Sequence, residues 1–599
     1  MYQSRTSAFL VVWTWFSCSG HVQPITIDPS CDSVIYCQGD LLHAVQTQKI
    51  FEDSKTFVDL KLKTNEQVVL SKFDELRAKY ASKIPNKILS SFVDEYFVDC
   101  SDDPSCKELL PWNPNDWSDN PPVLDKIKDP DYKEFASDLN AIWKKLARIM
   151  DVQVKEDANL TSLIYLPNGF MIPGGRFKEM YYFDTYWIVK GLLVSGMVET
   201  AKGIINNCLS LVKRLGHIPN GSRVYYKQRS QPPLLAMMIE AYVAKTGDKS
   251  MIKESLELLD REMEYFISNR QVDVKKNGKT YKMYRYFAVS SGPRPESYRE
   301  DYEHGQKKGS EEERAQFYIA LKSGAESGWD FSSRWFIKNR GNRGTILDTR
   351  TPDIIPVDLN AILHKTFTLL SEWYKEYRSV TRAEYFEEHA QELLTGLNEV
   401  LWNEEDGIWF DYDNANEIPR KYFFPSNFAP LWTGSYTFDK KILTDNVMNY
   451  VLKINLKQYI GGTPTSESYS GEQWDYPNAW PPLQSIVIQG LDNLGVYNAT
   501  EFAYHLANQW LKSLLAGYKK YGKMFEKYDA LKIGEPGSGG EYTDQDGFGW
   551  TNGFALELLE KYGQVIQWDQ SIPVVVSNKF NKRYTSGSAA FRPEVSNTI

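Results

Sequence analysis

Histidine is scarce in this chain, 7 among 599 residues, and cysteine scarcer at 6. None of these residues falls at zinc-ligand spacing, and HExxH is absent, so no metal site is read here. No His stands near a Gly-x-Ser-x-Gly elbow, which removes the support for a nucleophilic triad. The GxxxxGK[ST] and GxGxxG frames of nucleotide cradles are missing as well. Positive charge is not in excess: the formal net charge of −9 runs against nucleic-acid binding, which rewards basic stripes. Long apolar runs are also lacking. The one apolar stretch, Ala8–Phe16, is too short to span a bilayer.

That stretch instead predicts a secretory signal over residues 1–20, with Arg5 as its basic end and small residues from Ser17 to Gly20 as its cleavage zone. A secreted protein without a membrane anchor is expected. The cysteines agree with an oxidising compartment. Cys31 and Cys37 lie close in sequence, as do Cys100 and Cys106, and two local disulfides are the simplest pairing. Cys208 is then left on the apolar face of a helical pattern as a buried, inert thiol. Sequons at Asn159 and Asn498 are candidate glycan sites.

What the chain does have is helical periodicity and aromatic rings. Apolar residues recur at helical spacing over 197–215, 250–267, 359–374, 383–402, 483–494, 500–518 and 553–562. Alternating strand patterns are rare. The segments between the helices carry the Gly, Pro, Trp and charged residues, notably 219–233, 291–301, 323–335, 471–482 and 525–551. One large all-α domain over 21–575 is expected, with an N-terminal extension. Residues 576–599, polar and rich in Ser and Asn, read as a disordered tail. The acidic run Asp411-Tyr-Asp413 lacks the Gly and closing Glu of a calcium loop and reads as a turn.

The densest stretch is Pro173–Trp187, PGGRFKEMYYFDTYW, with six aromatic rings, two acids, a Lys and an Arg in fifteen residues. Its Pro-Gly-Gly opening interrupts regular structure and permits close backbone approach. Aromatic faces beside fixed Arg and Asp side chains suit a sugar, which stacks its C–H faces and hydrogen-bonds through its hydroxyls. A buried turn with an ion pair is the plainer alternative. In Ala325-Glu-Ser-Gly-Trp-Asp330, Gly328 permits tight packing and Trp329 can wall in Asp330, a setting that keeps a carboxyl protonated. The alternative is that Asp330 caps the turn before Ser332-Ser-Arg-Trp335. A second cluster joins Phe525-Glu526-Lys-Tyr-Asp529 to Gly540-Glu541-Tyr542 and Asp546-Gly-Phe-Gly-Trp550 across a Gly-rich loop, which reads as a lid bearing carboxylates. Carboxylates on separate loops point to glycoside hydrolysis. Arg229 with Gln231, Arg294 with Glu296, and Trp474 with Asp475 supply clamps for hydroxyls.

PGGRFKEMYYFDTYW, RPESYRED, ESGWDFSSRW, QWDYPNAWPP and GGEYTDQDGFGWTNG together resemble the signature blocks of the trehalase family of glycoside hydrolases, in order, from about residue 41 to 562. The resemblance implies an (α/α)6 toroid of six helical hairpins with long loops at its active-site mouth. It implies inverting hydrolysis of α,α-trehalose to two glucoses, without cofactor or metal. On the matching positions Asp330 is the implied general acid and Glu526 the implied general base. Glu541 is implied as a substrate-side carboxylate near the water. Arg176, Phe183, Asp184, Asn220, Arg229, Gln231, Arg294, Glu296, Gly328 and Trp474 are implied to line the sugar subsites. The residues alone do not choose Glu526 over Glu541. A third sequon, at Asn220, is discounted because a glycan there would fill the pocket. The family commonly places Trp where this chain has Phe183. Rival readings are a related inverting α-glucosidase on another substrate, a silent sugar-binding homologue and a structural toroid that binds protein.

Overall fold

The computed structural model describes residues 28–568, apart from 81–82, 101–103 and 543–544. The expected signal over 1–20, with Cys18, and the expected tail over 576–599 lie outside the described residues.

Six outer helices each lead into an inner one. The outer helices are Pro130–Leu146, Val198–Leu215, Ser250–Arg270, Val380–Gly396, Lys440–Ile454 and Tyr497–Tyr521. The inner helices that follow them in turn are Tyr182–Val194, Leu235–Thr246, Val357–Glu376, Ala429–Thr433, Pro481–Asn493 and Gly549–Tyr562. Each inner helix packs on the next, and the last packs on the first, so the ring closes as an (α/α)6 toroid. Strands are short and confined to small two- and three-stranded sheets; the longest pair is the hairpin Gln271–Lys276 with Lys279–Tyr284.

The two rings differ in what they bury. Outer helix Val198–Leu215 is amphipathic, with Ala201, Ile204, Ile205, Cys208, Leu211 and Val212 inward, and Gly216 ends it at φ 87°. Inner helix Tyr182–Val194 is buried all round except at Lys190, so it lacks the apolar stripe that would mark it in sequence. Within Pro173–Trp187 the helix begins at Tyr182, beyond the Pro-Gly-Gly opening. Residues 323–326, expected in a loop, are the last turn of helix Glu311–Glu326. Asp411–Asp413 is not a simple turn either. Tyr412–Asp413 pairs with both Ile354–Ile355 and Ile418–Pro419, and Asp411 grips Arg334 at 2.7 and 3.0 Å.

Connections from inner to outer helices are short, and Gly196, Gly247, Gly434 and Gly495 turn them at positive φ. Connections from outer to inner helices are long and gather at the N-terminal ends of the inner helices, where the motif loops meet. A second core, with Leu42, Phe57, Val69 and Phe92, belongs to the N-terminal layer and abuts Tyr181, Tyr225 and Tyr226 of the mouth. Disulfides join Cys31 to Cys37 and Cys100 to Cys106, and Cys208 is free and buried. Among the described residues no helix is long and apolar enough to cross a membrane.

The ring closes where Gly191 faces Gly553. A Cβ on Gly553 would lie 2.1 Å from the carbonyl oxygen of Trp187, and one on Gly191 would lie 2.4 Å from the Gly553 Cα. Gly553→Ala is therefore expected to cost about 1–3 kcal/mol by forcing the two helices apart. Urea unfolding of parent and variant measures this, and a difference within about 0.5 kcal/mol would contradict the reading.

Candidate functional site

A cavity opens at the mouth, bordered by Asp330, Glu526, Glu541 and all the residues implied to line the sugar subsites; Asp475, expected beside Trp474 as a hydroxyl clamp, is fully buried and does not border it. Inner-helix N-termini supply part of the wall: Phe183 and Asp184 from Tyr182–Val194, and Phe548 and Trp550 from the start of Gly549–Tyr562. The long connections supply the rest.

Three arginines organise its charge. Arg229 donates to Asn220 Oδ1 at 2.7 Å and to Glu296 Oε1 at 2.5 Å. Arg294 is gripped by Asp301 at 2.9 and 2.7 Å, donates to Glu541 Oε1 at 2.9 Å, and holds Nη1 3.7 Å from Asp330 Oδ2. Arg176 donates to both carboxylate oxygens of Asp53 at 2.7 and 2.6 Å. Gln231 accepts the backbone N–H of Phe183 at 2.8 Å, which ties two wall loops together. Behind them Glu326, fully buried, accepts from the Ser230 N–H at 2.9 Å and from Arg270 at 2.9 and 2.6 Å, fixing the loop between Arg229 and Gln231. Asn220 is buried and bonded within this frame, consistent with discounting its sequon.

The Asp330 loop is held from two sides. Asp475 accepts from the Ser333 N–H at 2.6 Å and from the hydroxyls of Ser332 and Ser333 at 3.1 and 2.9 Å. Arg334 stacks on Trp329, its carbon 4.4 Å from the ring centroid, and binds both Asp358 and Asp411. The turn Ser333–Trp335 is capped by Ser332, not by Asp330, so the capping alternative is set aside and the carboxyl faces the cavity. Gly328, at φ 80°, brings its backbone against Phe183; a Cβ there would sit 3.2 Å from the ring. Phe183 itself stands edge-on to Trp187 at 4.8 Å. Trp474 is flanked on both faces, by Trp480 at 3.8 Å and Trp329 at 5.7 Å, so it offers the cavity an edge rather than a stacking face.

Titration separates the carboxyls. Burial pushes Asp330 up to about 7, with Glu541 pushing the same way and Arg294 and Arg229 pulling back. Burial also carries Asp184 well above the carboxylate range, helped by Glu526 and Asp330. Glu541 is raised by burial against the pull of Arg294. For Glu296 burial is outweighed by Arg229 and Arg294, which lower it. Glu526, 2% exposed, accepts the Tyr542 hydroxyl at 2.9 Å, and Lys527 Nζ lies 3.5 Å from its other oxygen.

Sequence reasoning missed several lining residues. Tyr542 stands beside Glu541 in a motif already noted, and Tyr181 and Trp550 lie inside other motifs, so adjacency was the available signal. Lys55 had none: it arrives from the N-terminal layer, paired with Asp59 and Glu179. Among the described residues no group of His, Cys, Asp and Glu has metal-holding geometry.

Asp330 is expected to titrate near pH 7, and Glu541→Gln to move that titration to lower pH by removing a neighbouring negative charge. Carbon-13 NMR of labelled aspartate reads both, and an Asp330 carboxyl titrating near 4 would refute the assignment.

Comparison with known proteins gives one answer. The trehalase family model matches residues 49–563. The chain is 46% identical over 545 residues to a trehalase of Pimpla hypochondriaca, covering 91% of this chain and 92% of that one. It is 43% identical over 537 residues to a human trehalase, covering 90% and 91%. Among solved structures it resembles a neutral trehalase of Saccharomyces cerevisiae with TM-score 0.53 at 22% identity, over 70% of this chain and 79% of that one, a likeness of fold.

Proposed function

Given that the chain belongs to the trehalase family, we propose that the mouth cavity is where it hydrolyses α,α-trehalose, with Asp330 as general acid and Glu526 as general base. The observation that carries the assignment of roles is the contrast between the two carboxyls. Asp330, pushed up to about 7 by burial, is poised to give a proton near neutral pH, whereas Glu526 accepts the Tyr542 hydroxyl at 2.9 Å and lies 3.5 Å from the Lys527 ammonium.

Asp330 gives its proton to the bridging oxygen as the bond from that oxygen to one anomeric carbon breaks. Water, losing a proton to Glu526, forms the new bond to that carbon from the opposite face. Arg176, Arg229 and Arg294 clamp hydroxyls, with Asp184, Asn220, Gln231, Glu296 and Glu541 as further polar contacts and Phe183, Gly328 and Trp474 shaping the wall. Secretion is supported by the two disulfides and the apolar stretch Ala8–Phe16. Glycosylation at Asn159 and Asn498 is supported by the exposure of both side chains.

Asp330→Asn and Glu526→Gln are each expected to lower kcat by about 10²–10⁴-fold with the fold intact. The alkaline limb of kcat/KM should fall as pH rises through about 7, where Asp330 loses its proton. Proton NMR of the first-formed glucose should show equal α and β anomers, one from the leaving group and one inverted. Release of the α anomer alone would overturn the inverting assignment.

A further inference from the structure

The hydroxyl of Tyr542 lies between the two halves of the catalytic machinery. It accepts from Gln473 Nε2 at 3.3 Å and donates to Glu526 Oε1 at 2.9 Å. The same Gln473 nitrogen donates to the backbone carbonyl of Asp330 at 2.9 Å. One side-chain amide therefore touches the acid's backbone and orients the hydroxyl that serves the base. The ring of Tyr542 is fixed by two neighbours in the cavity wall. The Arg176 guanidinium sits over it, 4.8 Å from the centroid, and Phe177 meets it edge-on at 5.5 Å. Arg176 is in turn fixed by the two hydrogen bonds it donates to Asp53, which also caps the helix Ser54–Asp59 by accepting the Lys55 N–H at 2.8 Å.

We propose that Tyr542 is the positioning residue of the base Glu526, and that the N-terminal layer braces it through Asp53 and Arg176. The inference rests on the reading of Glu526 as base. A phenol that donates to one carboxylate oxygen restrains how that carboxyl turns in the cavity. It also stabilises the charged form, because the hydrogen bond is to an ionised acceptor. Asp53 matters at a distance because an Arg held at two points cannot swing off the ring it covers. Among the described residues, the groups facing Glu526 include Tyr542, Lys527 Nζ at 3.5 Å, and Asp184 and Asp330 across the cavity, with Arg176 beyond the Tyr542 ring. Of these only Tyr542 can be stripped of its donor without altering charge.

Tyr542→Phe keeps the ring under Arg176 and removes only the hydroxyl. It is expected to lower kcat about 10–100-fold, the effect of one hydrogen bond to a charged group, with KM changed by less than about threefold. The acidic limb of the kcat–pH profile should move to higher pH, since the base loses a donor that favours its charged form. A structural role alone would not move that limb. Asp53→Asn retains the helix cap, because Asn caps as well as Asp. It should reproduce the same change in kcat and limb at smaller size, Asp53→Glu should partly restore it, and Asp53→Asn/Tyr542→Phe should be no slower than Tyr542→Phe alone. An unmoved acidic limb in Tyr542→Phe overturns the positioning role. Independent, multiplying losses in the double variant overturn the brace. Glu526→Gln separates the underlying reading: full activity there would remove Glu526 as base whatever Tyr542 does.

Discussion

Everything at the mouth depends on the contact between the first and last inner helices. Gly191 and Gly553 lack side chains where these helices meet, and that absence lets the ring close at backbone distance. The consequence reaches the site directly. With the helices locked, Gly549 N–H donates to the Pro173 carbonyl at 2.7 Å, and Gly174 presses against the carbonyls of Asp546 and Gly547. The stretch at Pro173–Trp187 and the Glu526 loop, more than three hundred residues apart in the numbering, are made neighbours by this one junction. A pocket assembled from five long connections needs such a fixed reference, because loops without it would place their charges only loosely.

The second constraint is electrostatic. The cavity gathers Asp184, Glu296, Asp330, Glu526 and Glu541 with Arg176, Arg229 and Arg294 into a small volume. Each Arg already has a carboxylate partner, Asp53, Glu296 or Asp301, before any substrate arrives. Such pairing fixes the direction of each guanidinium and avoids the cost of leaving a charge buried alone. The remaining N–H groups keep their aim as a consequence, so the clamps are preorganised rather than gathered by the ligand.

How much of this is legible in the chain follows from what each pattern reports. The outer helices Val198–Leu215 and Ser250–Arg270 show in the apolar spacing because water lies on one side of them. The inner helix Tyr182–Val194 does not, because burial on all sides erases the stripe that periodicity detects. Motif loops are legible for the opposite reason: no core needs an Arg, an acid and paired glycines in one irregular stretch, so Arg294, Asp330 and Glu541 stand out. Asp53 and Lys55 do not, because each is one polar residue in an unremarkable run whose meaning comes only from where the N-terminal layer folds. The disulfide pairs were readable from proximity alone. The sandwiching of Trp474 between Trp480 and Trp329 was not, since a sequence gives a ring but not its neighbours.

The same geometry sets apart the two carboxyls proposed as acid and base. Arg294 approaches Asp330 to 3.7 Å, near enough to favour ionisation, yet its charge is shared with Asp301 and Glu541, both closer at 2.7 and 2.9 Å. Three carboxyls divide one guanidinium, and the most distant takes the least. Burial then decides the matter for Asp330, and its proton stays to about neutral pH. Glu526 lies under a different regime, with a directed phenol on one oxygen and the Lys527 ammonium near the other. Placing Arg294 closer to Asp330 would ionise the acid, whereas removing it would free Glu541 to compete for the same proton. The arginine's divided allegiance thus leaves burial to set the titration of Asp330, while Glu541 is gripped at 2.9 Å.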